Sequence, residues 1–182
     1  TMYGVLLRDL AEEAQKRLVV LCQAGKDPLV NGGLWESNFR RIQAERPDSV
    51  VLACHWDKLP QEPSRLAETL ERLKPQVGRI ILLTMPPDRP DLASRESIRA
   101  GARPPFFEKP DKRAFRQRFN ELAKEQAAEK VHILDTEPFF VRADGSIRAF
   151  DSDGRALYYD QKHLSHLGVS EVKGAVRALF LK

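Results

Sequence analysis

Four short apolar runs constrain this chain more than any other feature. They lie at 17–22, 49–54, 79–84 and 131–135. Each is too short for a buried helix and lacks the in–out alternation of a half-exposed strand, which is how parallel strands covered on both faces read. Amphipathic stretches separate them. Over 2–16, Val5, Leu6, Leu10, Ala14 and Leu18 recur near the 3.6-residue period, with Asp9, Glu12, Glu13 and Lys16 opposite. A second helix is predicted over 34–46, ending before Pro47. A third covers 64–74, with Leu66, Leu70 and Leu73 on one face. A fourth covers 111–129, with Phe115, Phe119, Leu122 and Ala123 inward, its charged residues outward and Asp111 as a candidate cap. A final helix runs from about 165 to 180, with Ser165 placed to cap it, and Asp144-Gly145 marks a small hairpin over 141–148. The alternation predicts an α/β fold, a three-layer α/β/α sandwich around a doubly wound parallel sheet of flavodoxin-like type, in one domain over 1–182. Such folds usually open on a strand. This chain opens on a helix, so the first strand is expected to be missing from it, and the chain to be a piece of a longer protein.

Composition narrows the partners. A chain of 182 residues, 42% apolar and 31% charged, suits one globular domain. Its net charge of +4, from 30 basic and 26 acidic residues, is compatible with an anionic glycan or a membrane surface. No aromatic-interleaved basic stripe accompanies it, which argues against nucleic acid. No apolar run approaches the roughly 20 residues needed to cross a bilayer. Cys22 and Cys54 end two predicted strands that would flank a third, about 10 Å apart. A disulfide needs Cα atoms within about 7 Å, so two free thiols are expected. The stretch 86–110 holds six prolines and few apolar residues. It reads either as a mobile surface insertion or as a substrate-facing lid.

The chemistry concentrates at Asp160-Gln161-Lys162-His163. A carboxylate three residues before a histidine can accept the imidazole Nδ1–H and fix the tautomer, leaving Nε2 free to take a proton from a hydroxyl. The same spacing also fits a polar loop whose histidine pairs locally. Asp160, His163 and His166 do not make a metal site without further ligands, and no cofactor or metal is expected. Ser37, Ser64, Ser94 and Ser97 lie in helix, helix-start or loop contexts, without the strand-to-helix turn that exposes a nucleophilic serine.

The longer string Asp153-Gly154-Arg155-Ala156-Leu157-Tyr158-Tyr159-Asp160-x-x-His163-Leu164-Ser165-x-x-Gly168 resembles the last block of the SGNH hydrolase superfamily. More narrowly it resembles the SGNH domains attached to bacterial membrane acyltransferases that O-acylate surface polysaccharides, including lipopolysaccharide. The resemblance implies Asp160 as triad acid, His163 as base, and a nucleophilic serine before Thr1. It implies an O-acyltransferase acting on a glycan acceptor and an acyl donor, beside a membrane-embedded acyltransferase domain of the same protein. It also implies a periplasmic or otherwise extracytoplasmic position, with a cytoplasmic one left open. An esterase with the same triad, or a glycan- or partner-binding module without a nucleophile, are the alternatives. Members of the superfamily usually supply a glycine after the second strand and an asparagine after the third as oxyanion donors. Here Gly32, with Asn31 beside it, is the candidate glycine donor. The third-strand block ends Cys54-His55-Trp56 without an asparagine, as in the acyltransferase-linked branch. Trp56 reads as an acyl-pocket wall, an indole N–H donor or a packing residue, and His55 as cleft-facing or structural.

Overall fold

The computed structural model describes residues 3–15, 19, 29–31, 34–53 and 63–180. The runs at 49–54, 79–84 and 131–135 form β1 (Ser49–Leu52), β2 (Arg79–Leu83) and β3 (Val131–Leu134). They pair in parallel in the order β1-β2-β3, with Val50 opposite Ile80 and Leu82 opposite Ile133. The run at 17–22 lies outside the described residues except Val19, as do both cysteines. Around the sheet lie α1 (Gly4–Glu13), α2 (Trp35–Glu45), α3 (Ser64–Leu73), α4 (Arg95–Arg99), α5 (Pro110–Lys124), α6 (Glu137–Phe140), α7 (His166–Glu171) and α8 (Lys173–Phe180).

Strand side chains alternate between faces, and the two cores follow that alternation. Leu52, Ile80, Leu82 and Val131 meet Trp35, Phe39 and Ile42 of α2, Leu66, Leu70 and Leu73 of α3, and Phe119 and Ala123 of α5. Ile81, Leu83 and Leu134, one step out of phase, meet Leu6 and Leu10 of α1, Val169 of α7 and Val176 of α8. The result is the expected three-layer α/β/α sandwich with helices on both faces. Parallel strands need crossovers, and α3 and α5 supply them on one face.

Several predicted boundaries move for local reasons. The second helix stops at Glu45 because Arg46 takes a left-handed conformation (φ 43°, ψ 60°) ahead of Pro47. The fourth starts earlier than expected: Lys109 is its N-cap and Pro110 fills the first turn, so Asp111 lies within the helix instead of capping it. It also ends earlier, at Lys124. The C-terminal helix is two helices, broken at Val172, which is wholly buried between them. Ser165 does cap α7, its Oγ accepting the Gly168 N–H at 3.2 Å. The hairpin forms as Val141 pairs with Ile147, with Gly145 at φ +79° in its turn.

Gly168 shows why its position tolerates no side chain. The first turn of α7 lies so close to the strand before it that a Cβ would collide with the Leu157 carbonyl oxygen. Gly168→Ala is therefore expected to cost about 3 kcal/mol of stability. Urea unfolding of the variant measures this, and an unchanged midpoint would show that α7 can shift freely.

Candidate active site

The candidate site grows from a two-stranded stem. Tyr158 and Leu164 pair antiparallel and are both buried in the second core. The Tyr159 N–H donates to the His163 carbonyl at 2.8 Å, and the Ser165 N–H to the Leu157 carbonyl at 2.9 Å. A stem closed this tightly leaves Asp160-Gln161-Lys162 as its tip. The short Asp160 side chain folds back over that tip, as aspartate does in turns. Its Oδ1 accepts the backbone N–H groups of Lys162 and His163, each at 2.8 Å. His163 Nδ1 lies 2.9 Å from Oδ1 and 2.8 Å from Oδ2. Asp160 and His163 are thus held together, with side chains 48% and 56% exposed.

The electrostatics define the tautomer. Partial burial acts to raise the Asp160 carboxyl, but the N–H groups of Lys162 and His163 and the imidazole outweigh it and hold it below the usual carboxylate range. An ionised carboxylate only accepts, so Nδ1 carries a proton, and in the neutral imidazole Nε2 is the nitrogen with the lone pair. Among the described residues Nε2 has no hydrogen-bond partner, and no serine hydroxyl bonds to His163.

The loop tip is clasped by the proline-rich segment 86–110. Gln161 accepts the Arg89 N–H on its carbonyl at 2.8 Å and donates its side-chain amide to Asp91 Oδ1, also at 2.8 Å. Lys109 Nζ pairs with Asp91 Oδ2 at 2.8 Å. The hydrogen bond from Lys109 is the main reason the Asp91 carboxyl lies below its ordinary value. This segment carries a 3-10 turn at Asp91–Ala93 and the short α4, with Ala93 and Phe106 buried against Ala149. Its departure from the carboxyl end of β2 is fixed by Asn120, whose amide bonds both the N–H and the carbonyl of Met85.

Beneath the clasp lies a charged cluster that periodicity placed outward. Arg116 is 2% exposed. It donates through Nε and Nη2 to Glu108 Oε2 at 3.1 and 3.0 Å and through Nη1 to Glu137 Oε2 at 2.7 Å. Glu108 Oε1 accepts the Asp88 N–H. Removing one member of such a buried group costs about 3–5 kcal/mol, because a charge is left unpaired. The sequence signal was available: Arg116 stands three residues before Phe119 and four before Asn120, on the buried face of α5. Gln161, Asp91 and Lys109 carried no comparable signal. A cavity of about 280 Å³ opens here, bordered by Met85, Asp88, Glu108, Lys112, Phe115 and Lys162.

The remaining sequence candidates fare unevenly. Trp56, His55 and Gly32 lie outside the described residues. Asn31 is exposed, in a left-handed conformation (φ 61°), and among the described residues no hydrogen bond joins it to Asp160 or His163. Ser37, Ser94 and Ser97 serve their own helix ends, and Ser165 Oγ donates to the Ala156 carbonyl at 2.8 Å. Tyr3, at the start of α1, and Tyr158 bury hydroxyls that have no partner among the described residues. Burial pushes both phenols up, and Glu108 and Asp88 add to the effect on Tyr158 while Arg116 opposes it. The start of α1 therefore packs into the same core as the stem of the loop.

A short parallel sheet between two helical layers, with a carboxylate–imidazole pair on a loop tied to the segment leaving its central described strand, is the layout of an SGNH-type domain. The chain belongs to the family described as SGNH domain (fused to AT3 domains), whose model matches residues 2–178. Among solved structures it is similar over its whole length to the lipopolysaccharide acetyltransferase periplasmic domain of Salmonella ser. Paratyphi A, with a TM-score of 0.74 and 12% identity, covering 79% of that chain. That likeness is one of fold. A 68-residue stretch is 40% identical to platelet-activating factor acetylhydrolase IB subunit alpha1 of Pongo abelii and 38% identical to its Bos taurus counterpart. It covers 36% of this chain and 27% of each of those proteins, so the match spans about a quarter of these relatives' length. The family is one whose SGNH domains are fused to AT3 domains. No helix among the described residues is long and apolar enough to cross a membrane.

Two measurements check the geometry. Because the folded-state Asp160 carboxyl is depressed, its pairing contributes in full above the ordinary carboxylate value of 3.8 and is lost as pH falls through the lower folded value. Carbon-detected NMR titration is expected to find the Asp160 midpoint below 3.8, and a midpoint at or above it would refute the arrangement. Asp91→Ala should speed amide exchange at Asp160–His163 while leaving the global unfolding midpoint in place. Unchanged exchange would show that the clasp does not hold the loop.

Proposed function

We propose that this chain is an SGNH-type O-acyltransferase domain that moves an acetyl or other acyl group to a sugar hydroxyl of a cell-surface glycan. The observation that carries the reading is the Asp160–His163 pair: an ionised carboxylate on Nδ1 and an open Nε2 on a solvent-facing loop. In this reading His163 takes the proton of a serine hydroxyl as that oxygen attacks the acyl donor, and Asp160 orients the ring and stabilises the imidazolium. The serine is assigned to residues preceding Thr1, next to the start of α1. His55 and Trp56, after β1, and Gly32 with Asn31 are proposed to line the acyl and oxyanion side. The family's AT3 fusion supports a membrane domain of the same polypeptide as the source of acyl groups, and an extracytoplasmic position. The fold shared with the Salmonella lipopolysaccharide acetyltransferase periplasmic domain supports a surface polysaccharide as acceptor. One observation favours a second reading, an esterase with the same pair: the local identity to an acetylhydrolase subunit.

In the full-length protein, hydrolysis of 4-nitrophenyl acetate should fall by about 10⁴-fold in His163→Ala and by about 10²–10⁴-fold in Asp160→Asn. Full activity of His163→Ala ends the proposal. Acetyl recovered on polysaccharide, rather than as free acetate, decides for transfer over hydrolysis. An upstream segment without a serine would instead leave a binding module.

A further inference from the structure

The stem that carries His163 has a second outward-facing residue. The hydrogen bonds flanking the Tyr158–Leu164 bridge run from the Tyr159 N–H to the His163 carbonyl and from the Ser165 N–H to the Leu157 carbonyl. That pattern makes Tyr159 and His163 directly opposed residues. Successive side chains switch sides from Tyr158 to Tyr159 at the loop end of the stem, while Leu157, deeper in it, is buried like Tyr158. Tyr158 and Leu164 are buried, whereas Tyr159 is 83% exposed and the His163 side chain 56%. Opposed residues on one side of a ladder have Cβ atoms about 5 Å apart. Tyr159 and His163 are therefore borne at neighbouring positions on one side of the stem.

A single exposed aromatic residue is ordinary. The concentration here is not. The large hydrophobic side chains exposed among the described residues are Val19, Leu92, Phe107 and Tyr159. Leu92 follows Asp91, which receives Gln161, and Phe107 stands two residues before Lys109, the other partner of Asp91. Apart from Val19, all of them sit on the segments bonded together around the catalytic loop. Exposed apolar side chains thus lie on the same hydrogen-bonded segments as the Asp160–His163 pair.

We propose that Tyr159 is the acceptor platform, the residue on whose ring the sugar receiving the acyl group stacks. The inference rests on the acyl-transfer reading of Asp160 and His163 and adds the acceptor's position to it. One face of a pyranose presents C–H groups with partial positive charge, and the negative face of an aromatic ring matches it. The sugar hydroxyls remain free at the edge, where one can reach Nε2. That hydroxyl gives its proton to Nε2 while its oxygen bonds to the acyl carbon. The serine ester bond breaks, and the serine oxygen recovers the proton from the imidazolium.

The test is equilibrium binding of chemically deacetylated lipopolysaccharide polysaccharide to the full-length protein, read by calorimetry, so that it does not depend on turnover. Tyr159→Ala should weaken binding by about tenfold or more, whereas Tyr159→Phe and Tyr159→Trp, which keep a ring, should stay within about threefold. Unchanged binding in Tyr159→Ala overturns the platform. So does a loss in Tyr159→Phe equal to that in Tyr159→Ala, since the hydroxyl would then be what matters. So does tight binding with a slower supply of acyl groups from the membrane domain, since the apolar surface would then dock that domain. The catalytic reading is judged separately by His163→Ala: an inactive wild type that still binds polysaccharide through Tyr159 keeps the platform and discards the triad.

Discussion

One carboxylate group organises the loop on which the proposed chemistry rests. Asp160 gathers two backbone N–H groups and an imidazole nitrogen around two oxygens. The same contacts do three things at once. They close a loop with three residues at its tip, they keep the acid ionised against partial desolvation, and they turn one face of a histidine toward solvent. Glutamate would carry the same charge one carbon further out and could not fold back onto both amides. Asparagine would keep the loop but offer a weaker acceptor for the ring. The constraint is therefore on length and charge together, which is why Asp-x-x-His is a compact solution.

The rest of the fold keeps that loop in place. Its stem is buried from one side by Leu164 and Tyr158, and α7 packs onto the Leu157 backbone through Gly168. From the other side, β2 launches a segment that returns to the loop tip. Asn120 fixes its departure, Thr84 and Thr136 bond across the ends of β2 and β3, and the Arg116 cluster anchors Glu108 as the segment comes back to α5. A buried arginine between two carboxylates adds little net stability. It does fix where the backbone at Asp88 and Glu108 must lie, since each wrong placement leaves a charge without its partner.

The sheet was legible in the sequence because parallel strands buried on both faces are unbroken apolar runs, as at 79–84. Helices α2 and α3 were legible through Phe39, Ile42, Leu66 and Leu70, whose spacing follows the helical period. The pairing of Asp160 with His163 could be read because both partners lie within one turn of chain. What escaped were contacts between segments far apart in sequence. Gln161 meets Asp91 across seventy residues, and nothing local in either stretch announces it. Arg116 escaped because a charge on a helix was assigned to solvent, although its position relative to Phe119 put it on the buried side. The break at Val172 escaped because Val169 and Val176 keep one apolar stripe running through both helices.

The clasp between Gln161 and Asp91 makes the proline-rich segment and the Asp160–His163 loop a single mechanical unit. Loops that carry specificity are usually treated as exchangeable parts. Here, transplanting 86–110 from a relative would also remove the brace under the histidine. Recombination between relatives is therefore best made at junctions that carry both segments together, with Asp91, Lys109 and Gln161 inherited from one parent.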